Sequence, residues 1–230
     1  MDQASIKKIL QSFPLFINLE EHELDAIVEL AQIRTFQKET HIFLQGEILS
    51  NVYFIFDGKV KIYRLDAQGN EQIVNVLNKG AMFPHQGFFR NDSYPANAVA
   101  LENALLFYIP IHSFEQFLIK NPVICIKIFR ILGDQIVDLQ NRLEEKILYN
   151  TYEQILLLIL RLTKNHGERL IDTTYRITTQ FTNRDLANMI GSSRETISRT
   201  FSQLRKKNLI DTDSNGFLII DTDKLKEELI

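Results

Sequence analysis

Six basic residues (Arg184, Arg194, Arg199, Arg205, Lys206 and Lys207) stand between Phe181 and Ile210, against only two acidic ones, Asp185 and Glu195. Guanidinium groups crowded into so short a stretch suit an anionic partner or the acceptor edges of a base. The spacing around them gives the stretch a shape. In FTNRDLANMIGSSRETISRTFSQLRKKNLI, Thr182 is followed three residues on by Asp185, and Ser192 three residues on by Glu195, which is the pattern of a capped helix start, with Gly191 between the two. Leu186, Ile190, Ile197 and Leu204 recur as a shared apolar face, and Ala187 is small enough for close approach. Arg194, Glu195, Ser198, Arg199 and Gln203 are left pointing outward. Two short helices joined by a tight glycine turn are a helix-turn-helix, so the segment from Ser193 to Lys206 is expected to lie in the major groove of double-stranded DNA. LIDTDSNGFLII then reads as strand, turn and strand, the wing of a winged helix.

Other chemistry is scarce. The single cysteine, Cys125, rules out a disulfide framework and a cysteine-ligated iron–sulfur cluster within one chain; in VICIKIF it reads as a small buried hydrophobe. No His/Cys ligand cluster, phosphate-cradling glycine loop or nucleophile with a base is present, so neither a catalytic residue nor a metal site is expected. The net charge of −3 does not announce a nucleic-acid binder, but from Asp211 to Ile230 two basic residues face six acidic ones, so the positive charge is local.

The elements that must position these groups follow from periodicity. Residues 4–32 read as helical around Pro14. From about Arg34 to Ile111 short β-rich runs are broken by turns at Gly46, Gly58, Gly69 and Gly80, as an antiparallel roll requires, and DAQGN marks a hairpin. Helical spacing returns at Ser113–Lys120 and, after Pro122, continues to about Asn150. There Ile128, Leu132, Ile136, Leu139, Leu143 and Ile147 form one stripe. The chain's own roll could cover it, but a helix this long with charged flanks better fits a parallel homodimer seam, with Ile128, Leu132, Ile136, Leu139 and Leu143 as dimerisation residues. YNTYE is the expected domain boundary, and KNHGERLIDTTYRITTQ reads as a polar loop. The expected fold is α+β: residues 1–120 form an antiparallel β-roll with N-terminal helices, residues 121–150 a long helix and hinge, and residues 151–230 a winged helix-turn-helix domain. The opening MDQASIKKIL has no basic region leading into an apolar run, and no apolar stretch approaches membrane-spanning length, so a soluble, cytoplasmic chain with no membrane partner is expected.

FPLF…LEEHELDAI, IFLQGE, VYFIFDGKVKIYR, the long helix and GSSRETISR together resemble the Crp/Fnr family of bacterial transcription factors over nearly the whole chain. The resemblance implies a cyclic-nucleotide-binding-like roll, a homodimer on a palindromic operator with a TGA-like half-site core, and regulation of transcription with RNA polymerase as a partner, whether as activator or repressor. It also implies base reading by Arg194, Glu195 and Arg199, with Ser198 a further contact and Ser193, Thr196 and Arg205 beside them. Arginine can grip guanine O6 and N7, and glutamate can accept from cytosine N4. Lys206 and Lys207, with Arg205, form either a phosphate contact or a solvated helix end.

At the sensor the chain departs from the resemblance. Where cyclic-AMP-binding relatives resemble G-E-L-G…R-S, this chain has PHQGFFRNDSYPANA, with Pro84 and His85 for Gly and Glu and with Pro95 and Ala96 for Arg and Ser. Without an arginine little offsets the desolvation of a cyclic phosphate, so the expectation is either an unidentified small-molecule effector other than cyclic AMP, in a pocket of His85, Gln86, Pro95, Ala96, Leu139 and Gln140, or no effector, with control by expression level. No cofactor is expected; haem on His85 stays open as an alternative. A cyclic-nucleotide-binding-like signalling module without DNA binding is the competing function.

Overall fold

The computed structural model describes residues 3–17, 19–90 and 92–229 and divides into two compact units, Met1–Ile136 and Val137–Ile230. The first begins with α1 (Gln3–Gln11) and α2 (Glu21–Leu30). The helical pattern expected over 4–32 is thus two helices and a connection. Glu20 and Glu23 form a capping box that starts α2, and the chain has already turned into a strand at Gln32.

Eight strands follow: β1 (Gln32–Phe36), β2 (His41–Phe43), β3 (Asn51–Asp57), β4 (Val60–Leu65), β5 (Glu71–Leu77), β6 (Met82–Phe83), β7 (Asn97–Ala100) and β8 (Ala104–Pro110). They pair antiparallel as two four-stranded sheets, β1-β8-β3-β6 and β2-β7-β4-β5, which make the roll. Gly46, Gly58, Gly69 and Gly80 all sit at positive φ in its turns. At Gly58 the requirement is double, since φ is +87° and an added Cβ would lie 2.7 Å from Ala104 Cα. The β4–β5 hairpin is closed by Asp66, whose carboxylate accepts from Asn70 Nδ2 and from the backbone N–H groups of Gln68 and Asn70. Those bonds, the Asn70 side chain first, hold the carboxyl below its ordinary pKa.

Alternation along the strands puts Phe43, Tyr53, Ile55, Phe83, Tyr94 and Leu106 into a core within the roll, where Phe43 and Tyr94 stack at 3.8 Å. A second core joins α1 and α2 to the roll and to the next two helices, α3 (Ile111–Lys120) and α4 (Pro122–Leu148). Phe13, Phe16, Phe54, Phe107 and Phe114 fill it together with Ile124 and Ile128 of α4. Burying each such ring contributes about 1.5–3 kcal/mol. Lys127 Nζ adds bonds to the carbonyls of Leu15 and Ile17, tying α4 to the α1–α2 connection. Cys125, expected to be buried, is half-buried at the edge of this core, with its Sγ donating to the Leu118 carbonyl.

Ile128 lies apart from the rest of the stripe read from periodicity. It is 5% exposed inside its own chain's core, and Leu132 packs half-buried against the same core. Ile136, Leu139, Leu143 and Ile147 are instead 58–72% exposed, and Phe129 is equally bare. A single stripe is thus core over the first turns of α4, which pack with α3 and the roll, and exposed from Ile136 onward.

The second unit contains the rest of α4, then α5 (Thr151–His166), β9 (Gly167–Ile171), β10 (Thr174–Ile177), α6 (Asn183–Ile190), α7 (Arg194–Lys206), β11 (Ile210–Thr212), β12 (Leu218–Asp221) and α8 (Thr222–Glu227). The run expected as a polar loop is the β9–β10 hairpin. Its reason is non-local: β10 pairs with β12, Tyr175 opposite Ile220, completing the sheet β11-β12-β10-β9 and burying Ile177. The boundary at YNTYE is two residues long, and Asn150 caps α5 in a box with Glu153. The compact units part within α4, between Ile136 and Val137.

Candidate nucleic-acid interface

Local sequence sets the frame of the α6–α7 pair. The Thr182 hydroxyl accepts from Asp185 N at 3.1 Å and Asp185 accepts from Thr182 N at 2.9 Å, so the start of α6 is fixed reciprocally. Gly191 ends the helix at φ +66°, and the N–H groups of Gly191 and Ser192 both reach the Ala187 carbonyl. That consumes Ser192 in the exit from α6. The helix start expected at Ser192 therefore falls at Ser193, whose extended backbone and hydroxyl, accepting from Thr196 N at 3.1 Å, cap α7. Glu195 is consequently no part of a capping box.

Helix α7 buries Ile197, Thr200, Phe201 and Leu204 against Leu186 and Ala187 of α6 and Ile155, Ile159 and Leu162 of α5. Arg194, Glu195, Ser198, Arg199 and Gln203 lie on the opposite, exposed face, with Ser193 exposed and Thr196 half-buried at its start. Among the described residues the side chains of Arg194, Glu195 and Arg199 form no ion pair or hydrogen bond. Several other cations of the unit are paired: Arg161 with Glu145, Arg176 with Glu168 and Asp213, Lys207 with Glu228. Leaving three charges unmatched on one face gives a surface able to accept from and donate to base edges without first breaking internal pairs. Arg205 lies over the Phe201 ring and donates to Thr212 Oγ1 at 3.3 Å, which aims it toward β11. Lys206 is exposed, whereas Lys207 is held by Glu228 at 2.5 Å. The wing turn is fastened by Asp213, which accepts from Asn215 N and Phe217 N, and by Gln180, which donates to the Asn215 carbonyl.

The residues expected around an effector are placed less uniformly. Ala96 is buried, His85 and Pro95 are half-buried and Gln86 is exposed, all in the first unit; Leu139 and Gln140 are exposed on α4 in the second. Asn91 of the same loop lies outside the described residues. An α4 residue that meets this loop is Gln135, whose Nε2 donates to His85 Nδ1 at 2.7 Å. Periodicity could not have found it, since a lone glutamine on the polar side of a helix carries no pattern. Burial pushes the His85 imidazole down to about 4, so it is neutral near pH 7. Among the described residues from 84 to 97 the one cation is Arg90, which is largely exposed and paired with Asp92. The loop is anchored by Tyr94, whose hydroxyl accepts from Asn51 N and donates to the Asn51 carbonyl, and by Asn97, which accepts from Gln45 N. Among the described residues no group of His, Cys, Asp and Glu side chains is placed to hold a metal ion, and no helix is long and apolar enough to cross a membrane.

Comparison with known proteins agrees with both ends of the chain. Residues 33–121 match the cyclic nucleotide-binding domain family and residues 153–228 the Crp-like helix-turn-helix domain family. Electron transport regulator A of Shewanella oneidensis is 28% identical over 92% of this chain and 84% of its own length. The fumarate and nitrate reduction regulatory protein of Yersinia pestis is 26% identical over 91% and 83%. In fold, a CooA mutant from Carboxydothermus hydrogenoformans superposes with a TM-score of 0.76 at 17% identity, covering 95% of each chain.

Proposed function

Since the chain belongs to the Crp/Fnr family of DNA-binding transcription regulators, we propose that it acts as a homodimer on a palindromic operator with a TGA-like half-site core. The observation that carries this reading is the face of α7 on which Arg194, Glu195 and Arg199 stand exposed and unmatched, opposite a fully buried face. Arg194 and Arg199 donate to guanine O6 and N7, Glu195 accepts from cytosine N4, and Ser198 adds a hydroxyl contact. Ser193 and Thr196 at the helix start, and Arg205 beside β11, meet the phosphate backbone, which fixes register without reading sequence. The two half-sites are then about one DNA turn apart, related by the dyad of the dimer.

Support for the dimer comes from the exposed apolar stripe Ile136, Leu139, Leu143 and Ile147. Four large apolar side chains on one helical face are costly in water and suit a second copy of the same helix. The effector is a small molecule other than cyclic AMP, a reading supported by the lack of a buried cation in the described part of the 84–97 loop. We assign the chain no catalytic role and no prosthetic group; a haem band in the absorption spectrum of protein from haem-supplied cells would overturn the latter. RNA polymerase is the proposed downstream partner and the cytoplasm the proposed location. The decisive test is selection of bound sequences from a random duplex library, followed by gel shifts of Arg199→Ala on the selected palindrome. Unchanged sequence preference in that variant would sink the assignment.

A further inference from the structure

The last turn of α4 is fastened to the helix-turn-helix unit by side chains that the proposed base contacts do not use. Arg161 of α5 donates through Nη1 to both carboxylate oxygens of Glu145, at 2.9 and 2.7 Å. One residue on, Lys146 Nζ donates to Gln154 Oε1 at 3.3 Å and to the Ile190 carbonyl at 3.0 Å. Gln154 is itself buried and donates through Nε2 to the Tyr149 carbonyl at 2.7 Å, so the amide that meets Lys146 is held from behind. Ile190 is the last residue of α6, and Ser193, the cap of α7, comes three residues later. A cation at the carbonyl end of α6 is also favoured by the helix dipole.

We propose that Lys146 is a positioning residue for α7, acting through the α6–α7 turn. Its ammonium group fixes the carbonyl from which the turn departs, and the turn fixes where α7 begins. Arg194 and Glu195 stand on the first turn of α7, so a small displacement of the Ile190 carbonyl moves them most.

The proposal rests on the DNA-binding reading above, and the experiment separates the two. The highest-affinity duplex selected by the wild-type protein, and a scrambled duplex of the same length, are titrated with wild type, Lys146→Met and Lys146→Arg, each checked for an unchanged melting midpoint. Lys146→Met is expected to weaken binding to the selected duplex about tenfold, the loss of one charge-assisted hydrogen bond, and to leave the scrambled duplex unaffected. Lys146→Arg, which keeps a donor and a charge, restores most of the loss. Lys146→Gln stands in for the methionine variant should that one fold poorly. Equal weakening on both duplexes would make Lys146 a phosphate contact and overturn the proposal, as would wild-type affinity in Lys146→Met. A wild-type protein that selects no sequence would instead bring down the DNA-binding reading itself.

Discussion

Helix α7 buries Ile197, Thr200, Phe201 and Leu204 and turns Arg194, Glu195, Ser198 and Arg199 to solvent, whereas the second half of α4 turns Ile136, Leu139, Leu143 and Ile147 outward. Both helices are amphipathic, yet their exposed faces have opposite chemistry. A charged exposed face is content in water and gains by meeting a polyanion, while an apolar one is satisfied only by another apolar surface. The contrast fits the two partners proposed for the chain, DNA for α7 and a second copy of the chain for α4.

The most damaging way to break that contrast is Leu139→Glu. It is expected to give a monomer in sedimentation velocity and to weaken operator binding by about 100-fold or more, because the two half-sites are no longer linked; a dimer of normal affinity would hand the stripe to a different partner. On α7, Arg199→Ala should cost about 1–3 kcal/mol of binding and relax discrimination at one base pair, read by titrating point variants of the operator. Removing the helix cap with Ser193→Ala should lower unfolding stability by about 1 kcal/mol in urea melts, and Ser192→Ala should not. Equal effects at both serines would return the helix start to Ser192.

The remaining test concerns His85. Its folded-state pKa, about 4, lies below the ordinary histidine value near 6.5, so the unfolded chain binds the proton more readily. The contribution of the neutral imidazole is therefore present above about pH 6.5 and is lost as pH falls toward 4. The melting midpoint of the wild type should drop more steeply over that window than that of His85→Gln, and parallel curves would show that the imidazole is solvated in the folded state.

Several features were legible without coordinates because each depends on neighbours in the chain. The cap of α6 at Thr182, the glycine end at Gly191, the turns of the roll and the outward face of α7 are local consequences of side-chain size and hydrogen bonding. The helix start at Ser193 was missed by one residue, since both serines can cap and only the exit geometry after Gly191 decides between them. The β9–β10 hairpin was missed because its polar sequence gains strand structure only by pairing with β12, some forty residues further on.

What the sequence determined by itself is thus the recognition end, where an alternation of period 3.6 separates buried from exposed residues and leaves the arginines nowhere to go but outward. What only the tertiary structure decided is the use of α4 and of the sensor loop. The same apolar stripe is core at Ile128, where α3 and the roll pack on it, and bare at Leu139. Likewise Gln135 meets His85, and Lys146 meets Ile190, through space across 50 and 44 residues of chain. Such pairings depend on where the backbone returns, which no local pattern of residue types encodes.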